Sequence, residues 1–184
     1  MEQRSTIIEV DGRQWLIDPF DDISDHVSSP VAGIIVTTTH HWRDAIELAD
    51  RYDVTIEVPS WFRSIPAHAE RVSTPTVDGF SFIEIADTWL WQEAALWNGS
   101  SLIVGDALTT STVMGQHPLN LYPYLFLHPP EVLAEITPDR LICGHGDPVD
   151  SRIDDAIEQA LTVSPWMMPL SIISFLYRST FSDL

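Results

Sequence analysis

Apolar residues along this 184-residue chain come in short runs separated by turn formers, a pattern of many brief strands and few helices. "TIIEV" and "RQWLID" flank Asp11-Gly12, a pair that supplies the positive φ angles of a two-residue turn, so a hairpin is expected there. "AGIIVT" is continuously apolar rather than alternating, which predicts a buried strand. Beyond it, Ala45, Leu48, Ala49 and Tyr52 recur at helical spacing in "RDAIELADRY", and "VTIEV" returns as a strand, completing a βαβ unit.

The stretch from Pro59 to Gly79 is expected to be loop, because Pro59, Pro66 and Pro75 cut any long element. "FSFIEI", "EAALW" and "SLIVGD" predict further strands, the last two joined by the hairpin signal Asn98-Gly99. "GDALTTSTVMGQHPLNLYPYLFLHPP" is rich in turn formers and aromatics and is expected to wrap the domain without regular elements. "PEVLAEI" predicts a short helix opened by proline and "RLIC" a strand. "SRIDDAIEQALT" predicts a helix with Ser151 as its N-cap and acidic residues in its early turns. The tail "VSPWMMPLSIISFLYRSTF" is apolar on every face. Pro165 and Pro169 leave it no run of the roughly 20 residues a bilayer span needs, so it is expected to dock on its own domain or on a dimer partner.

Charge narrows the partners. The chain carries 27 acidic residues against nine arginines and no lysine, for a net charge of −18. A field of that sign repels phosphate backbones and anionic membranes, and the arginines are scattered singly, so no nucleic-acid partner is expected. An acidic, lysine-free surface suits a halophilic cytoplasm, where salt screens repulsion between carboxylates. The start "MEQRSTIIEV" has no basic segment followed by an apolar one, so no signal peptide is expected. The single Cys143 excludes an intramolecular disulfide and a thiolate-rich zinc site, and is expected to be a buried strand thiol. Trp42, Trp89, Trp91 and Trp97 are expected to pack in the core and at its rim rather than to form a carbohydrate platform.

The candidate chemistry begins at "VTTTHHWRDA", where two adjacent histidines follow a strand end. In chain order, "WLIDP", "IIVTTTHHWRDA", "LIVGDAL" and "ICGHGDPV" resemble the metallo-β-lactamase-fold superfamily: an early strand ending in Asp, the "T-HxHxDH" loop, the "GD" strand end and the "GHG" terminal metal loop. The resemblance runs from about Ile7 to Val149. It implies an α/β fold, an αββα sandwich of the metallo-β-lactamase-like type in a single domain over residues 1–162, with the apolar tail at 163–184. It also implies a metal site along one edge, usually of two zinc ions that activate water for hydrolysis.

The histidine loop departs from that pattern. With Thr37 as the strand-end threonine, Thr38, His40, Trp42 and Arg43 fall on the four ligand places; other registers put His40 and His41 at the "DH" pair, or keep Asp44 as the aspartate. No register keeps more than two of the four ligands, and "IADTWLWQEAALW", where the family carries "GHTPG", offers only Asp87 and Glu93. The remaining metal candidates are His40, His41, Asp106 and His145, with Asp44 and Asp147 as helpers; His40, His41, Arg43 and Asp44 are the candidate catalytic loop. Such a set holds at most one zinc or other divalent ion. The competing reading is a metal-free pseudo-enzyme in which Arg43 replaces metal charge and pairs with Asp106, while His40 and His41 cap strand and helix.

Three functions follow from the resemblance and the residues. The first is a mononuclear metallo-hydrolase acting on a small ester, lactone or similar substrate. The second is a non-catalytic relative. The third is a self-associating subunit that forms a homodimer through "LNLYPYLFLHPP" and the apolar tail.

Overall fold

The computed structural model describes residues 3–89, 91–111 and 118–162. The apolar tail, and the dimer contact expected of it, lie outside the described residues. The chain divides into two compact units, one formed by Arg4–Gly99 and the other by the chain from Ser100 onward together with Met1–Gln3.

In the first unit, β1 (Thr6–Val10) and β2 (Arg13–Ile17) form the expected hairpin, with Val10 opposite Arg13 across Asp11-Gly12, both at positive φ. β3 (Val31–Ile35), β4 (Ile56–Pro59) and β5 (Ala69–Val72) add in parallel, giving a five-stranded sheet in the order β1-β2-β3-β4-β5. The helix α1 (Arg43–Tyr52) connects β3 to β4, which is the expected βαβ unit. Its Ala45, Leu48 and Ala49 are buried in a core with Leu16, Ile34, Val36, Ile56 and Phe62, and its Glu47 and Asp50 stay exposed. Gly33 is required in β3, because a Cβ there would enter the Trp15 indole of the neighbouring strand.

The strand β5 corrects the expectation of loop between Pro59 and Gly79. The prolines flank it without interrupting it, and "AERV" is too short and too exposed to announce itself by hydrophobic alternation. The loop that follows is anchored by buried Glu57, whose carboxylate accepts the Thr76 N–H at 2.8 Å and the Thr76 hydroxyl. The unit ends with an antiparallel pair, β6 (Ser81–Asp87) and β7 (Gln92–Trp97), in which Ser81 faces Trp97.

In the second unit, β8 (Ser101–Val104) runs parallel to β11 (Arg140–Cys143), with Leu102 opposite Leu141. The aromatic segment does contain brief regular structure, a correction to the expectation of none. β9 (Leu108–Thr109) pairs with β10 (Asn120–Leu121), and Pro123–Leu127 forms a 3-10 helix. "EVLAE" is also 3-10 rather than α-helical, with Pro130 at its N-cap. α2 (Ile153–Leu161) buries Ile153, Ile157 and Ala160. Its N-cap is Arg152 in the left-handed region at φ 53, not Ser151, and no side chain caps it; Asp154 and Asp155 in the first turn complement the helix dipole instead. Cys143 is buried as expected. Among the described residues, no helix is long and apolar enough to cross a membrane.

Candidate functional site

The "TTTHHW" segment follows β3, and its backbone is held from two sides. Asp18, at the end of β2, accepts the Thr37 N–H at 2.8 Å and the Thr37 hydroxyl, while its own N–H donates to Ile35 O at 2.9 Å. Asp18 takes a left-handed conformation, φ 45, which a short polar side chain tolerates better than most. On the other side Thr38 bridges to Glu93 of β7, with the Ala94 N–H donating to Thr37 O at 2.8 Å and the Thr39 N–H to Gln92 O at 3.0 Å. The threonines therefore stitch the loop to two strands rather than offering metal ligands.

The two adjacent histidines are placed differently. His41 is buried, and its Nδ1 lies 3.6 Å from Asp18 Oδ2. The Phe20 ring meets the His41 imidazole edge-on at 5.9 Å. His40 is half-buried and its ring lies nearly parallel to that of Trp91, centroids 6.3 Å apart. The Trp91 indole N–H in turn donates to the Thr38 hydroxyl at 3.0 Å. Trp42 is the N-cap residue of α1, and it packs partly buried against the core of the first unit. Asp44 sits half-buried in the first turn of α1. The side chain of Arg43 lies outside the described residues, and with it the expected Arg43–Asp106 pair.

In the second unit the "GD" strand end and the "GHG" loop do come together. Asp106 Oδ1 lies 3.0 Å from His145 Nε2, and both side chains are buried. The His145 carbonyl accepts the Thr109 hydroxyl at 3.0 Å and the Thr110 N–H at 3.2 Å, and the Thr110 hydroxyl donates to Asp147 O at 2.8 Å. Asp147 thus contributes its main chain to the fixing of this loop.

The glycines on either side of His145 are steric requirements of the same loop. A Cβ on Gly144 would lie 2.6 Å from Gly105 O, and Gly146 takes φ 89 with Thr110 and Ser111 where a Cβ would go. "GHG" and "GD" therefore pack backbone to backbone, which accounts for small residues on both sides of the ligand candidates.

Two features escaped the sequence reading. Glu93, seen only as a residue lacking the family's histidine, is completely buried on β7 opposite Thr38. Trp89, expected in core or rim, is 86% exposed, whereas Trp91 is buried. The irregular turn between β6 and β7 gives no hydrophobic period from which the two could have been told apart.

Asp106 and His145 of the second unit are a carboxylate and an imidazole on buried side chains, and His41 is a buried imidazole of the first unit. The imidazole nitrogen and carboxylate oxygen of the second unit's pair are donors that suit zinc or another divalent transition metal.

No family model and no curated protein sequence matches this chain. Solved structures do. The chain is similar to the metallo-β-lactamase DIM-1, solved after exposure to ceftazidime, at TM-score 0.59 and 9% identity over 92% of this chain and 85% of that one. It is similar to TTHA1623 in a di-iron-bound form at TM-score 0.62 and 16% identity, over 90% of this chain and 95% of that one. It is also similar to the chemotaxis sensor ODP, solved as a peroxy diiron species, at TM-score 0.62 and 13% identity, over 93% and 92% of the respective chains. The fold is therefore that of the metallo-β-lactamase superfamily, an α/β sandwich, as the sequence motifs led one to expect.

Proposed function

We propose that this protein binds a single divalent metal ion through Asp106 and His145 of the second unit and uses it to hydrolyse a small ester, lactone or similar substrate. The observation that carries the reading is the buried pair of Asp106 and His145, Oδ1 to Nε2 3.0 Å apart, in a fold whose similar solved structures include two di-iron proteins.

In the histidine loop of the first unit, His41 rather than His40 is the buried imidazole. Its Nδ1 faces the Asp18 carboxylate at 3.6 Å. His40 instead belongs to a wall of aromatic rings with Trp91. The threonine contacts to the His145 carbonyl hold the other imidazole's backbone in place. A bound divalent ion supplies Lewis acidity and lowers the pKa of a coordinated water towards neutrality. The chain's own part is to orient the His145 imidazole beside Asp106 and to keep both buried from bulk water.

One imidazole and one carboxylate favour a single ion over the family's usual pair. The deciding measurement is the metal content of protein purified without chelator. The expected result is about one zinc, iron or manganese per chain, lost in His145→Ala and retained in His40→Ala. Metal-free protein whose stability is indifferent to chelator would instead establish the non-catalytic relative, with Asp106–His145 as a structural pair. Two ions per chain would overturn the mononuclear reading.

A further inference from the structure

The first unit carries a second candidate site, built from residues outside the proposed ligand set. A cleft of about 230 Å³ is lined by His40, Trp42, Arg63, Ser64, Trp89 and Trp91, with Thr39 and Gln92 at its base. We infer that this cleft binds a small planar aromatic carboxylate, its ring stacked on the indole faces and its carboxylate oxygens held by Arg63 and Ser64.

Four observations select that chemistry. The wall is flat: the His40 and Trp91 rings are within 9° of parallel, and Trp91 is locked by its N–H bond to Thr38. Trp89 is 86% exposed while lining the same cleft, a large apolar face left in water in a chain whose other tryptophans with assigned burial are buried or partly buried. An indole in that setting gains by stacking on a ring.

The polar groups that remain available are donors. The Gln92 side chain is used up: its amide donates to Trp61 O at 2.9 Å and to Asp87 Oδ1 at 2.5 Å, and its carbonyl accepts the Arg63 N–H at 2.7 Å. The Arg63 guanidinium donates to Asp87 Oδ1 at 2.7 Å and to Thr88 O, which fixes its plane and leaves further N–H groups of its five unused. Ser64 makes no hydrogen bond among the described residues and offers its hydroxyl.

Among the described residues, no carboxylate lines the cleft. An aromatic cage for a quaternary ammonium would hold its cation without a guanidinium in the wall, and Arg63 argues against that occupant. A sugar presents many hydroxyl donors that need acceptors, and the Gln92 carbonyl is already taken. A ring with acceptor oxygens at its edge satisfies both the stacking faces and the donors.

The test is a titration of the full chain with benzoate, followed through the indole N–H resonances, in parallel with benzyl alcohol, tetramethylammonium and glucose. All titrations are run in the presence of chelator, so that the result is independent of the metal proposal. The expected result is saturable binding of benzoate, tighter than that of the three comparison compounds. Trp89→Ala, an exposed position whose replacement leaves the core intact, should weaken benzoate about fivefold, the scale of one aromatic contact. Ser64→Ala, which leaves the Arg63 contacts in place, should narrow the preference for benzoate over benzyl alcohol. No saturable binding, equal or tighter binding of tetramethylammonium or glucose, or an unchanged affinity in Trp89→Ala would each overturn the inference.

Discussion

His145 Nε2 and Asp106 Oδ1 lie 3.0 Å apart, joining the loop after β11 to the end of β8, although 39 positions separate them in sequence. The contact depends on a backbone approach that only glycine permits, since Gly144 packs against Gly105 and Gly146 against Thr110 and Ser111. Ligand geometry and glycine sterics are therefore one structural unit.

Gly146→Ala should destabilise the protein by about 2–4 kcal/mol, through a strained positive φ and a Cβ placed against Thr110 and Ser111. Urea unfolding measures this, and metal content should fall in parallel because the His145 loop is displaced. A variant as stable as the parent would show that the loop relaxes freely.

Asp18→Ala removes both acceptors of Thr37 and leaves a buried N–H unsatisfied, so a loss of about 2–4 kcal/mol is expected. Asp18→Asn keeps one acceptor oxygen and should cost less. If both variants unfold at the parental denaturant midpoint, the Asp18–Thr37 contact contributes nothing to the fold.

Glu57→Ala should cost about 1–3 kcal/mol, because the Thr76 N–H loses a buried carboxylate partner. The effect should be local: native-state hydrogen exchange is expected to speed up around Thr76 and to leave β1 and β2 unchanged. Uniform acceleration across the chain would contradict the assignment of Glu57 as a loop anchor.

Excess zinc or iron(II) should raise the melting temperature of chelator-treated protein, since a ligand bound only by the native state stabilises it by about 2.7 kcal/mol at one hundred times its dissociation constant. The rise should vanish in His145→Ala. An equal rise in that variant would place the ion elsewhere.

Raising sodium chloride from low to molar concentration should raise the melting temperature, because 27 acidic groups against nine arginines repel one another until screened. A fall over the same range, read by calorimetry, would remove the halophilic interpretation.

Much of this protein was legible in order and composition. The Asp11-Gly12 hairpin, the βαβ unit around α1 and the strands ending at Asp106 and before His145 follow from turn chemistry and hydrophobic period, which act over a few residues. Short polar strands such as β5 carry no such period, and the N-cap of α2 was misplaced because Arg152 enters the left-handed region where Ser151 offered the commoner cap. Sequence alone left His40 and His41 interchangeable, since adjacent residues share every compositional signal. Only tertiary packing separated them, turning one towards Asp18 and the other onto Trp91. The same holds for Trp89 and Trp91, of which one is in water and the other locked to Thr38. Local periodicity sets which segments become strands and helices; the direction a single side chain takes is set by contacts with residues tens of positions away, and those exist only once the chain has folded.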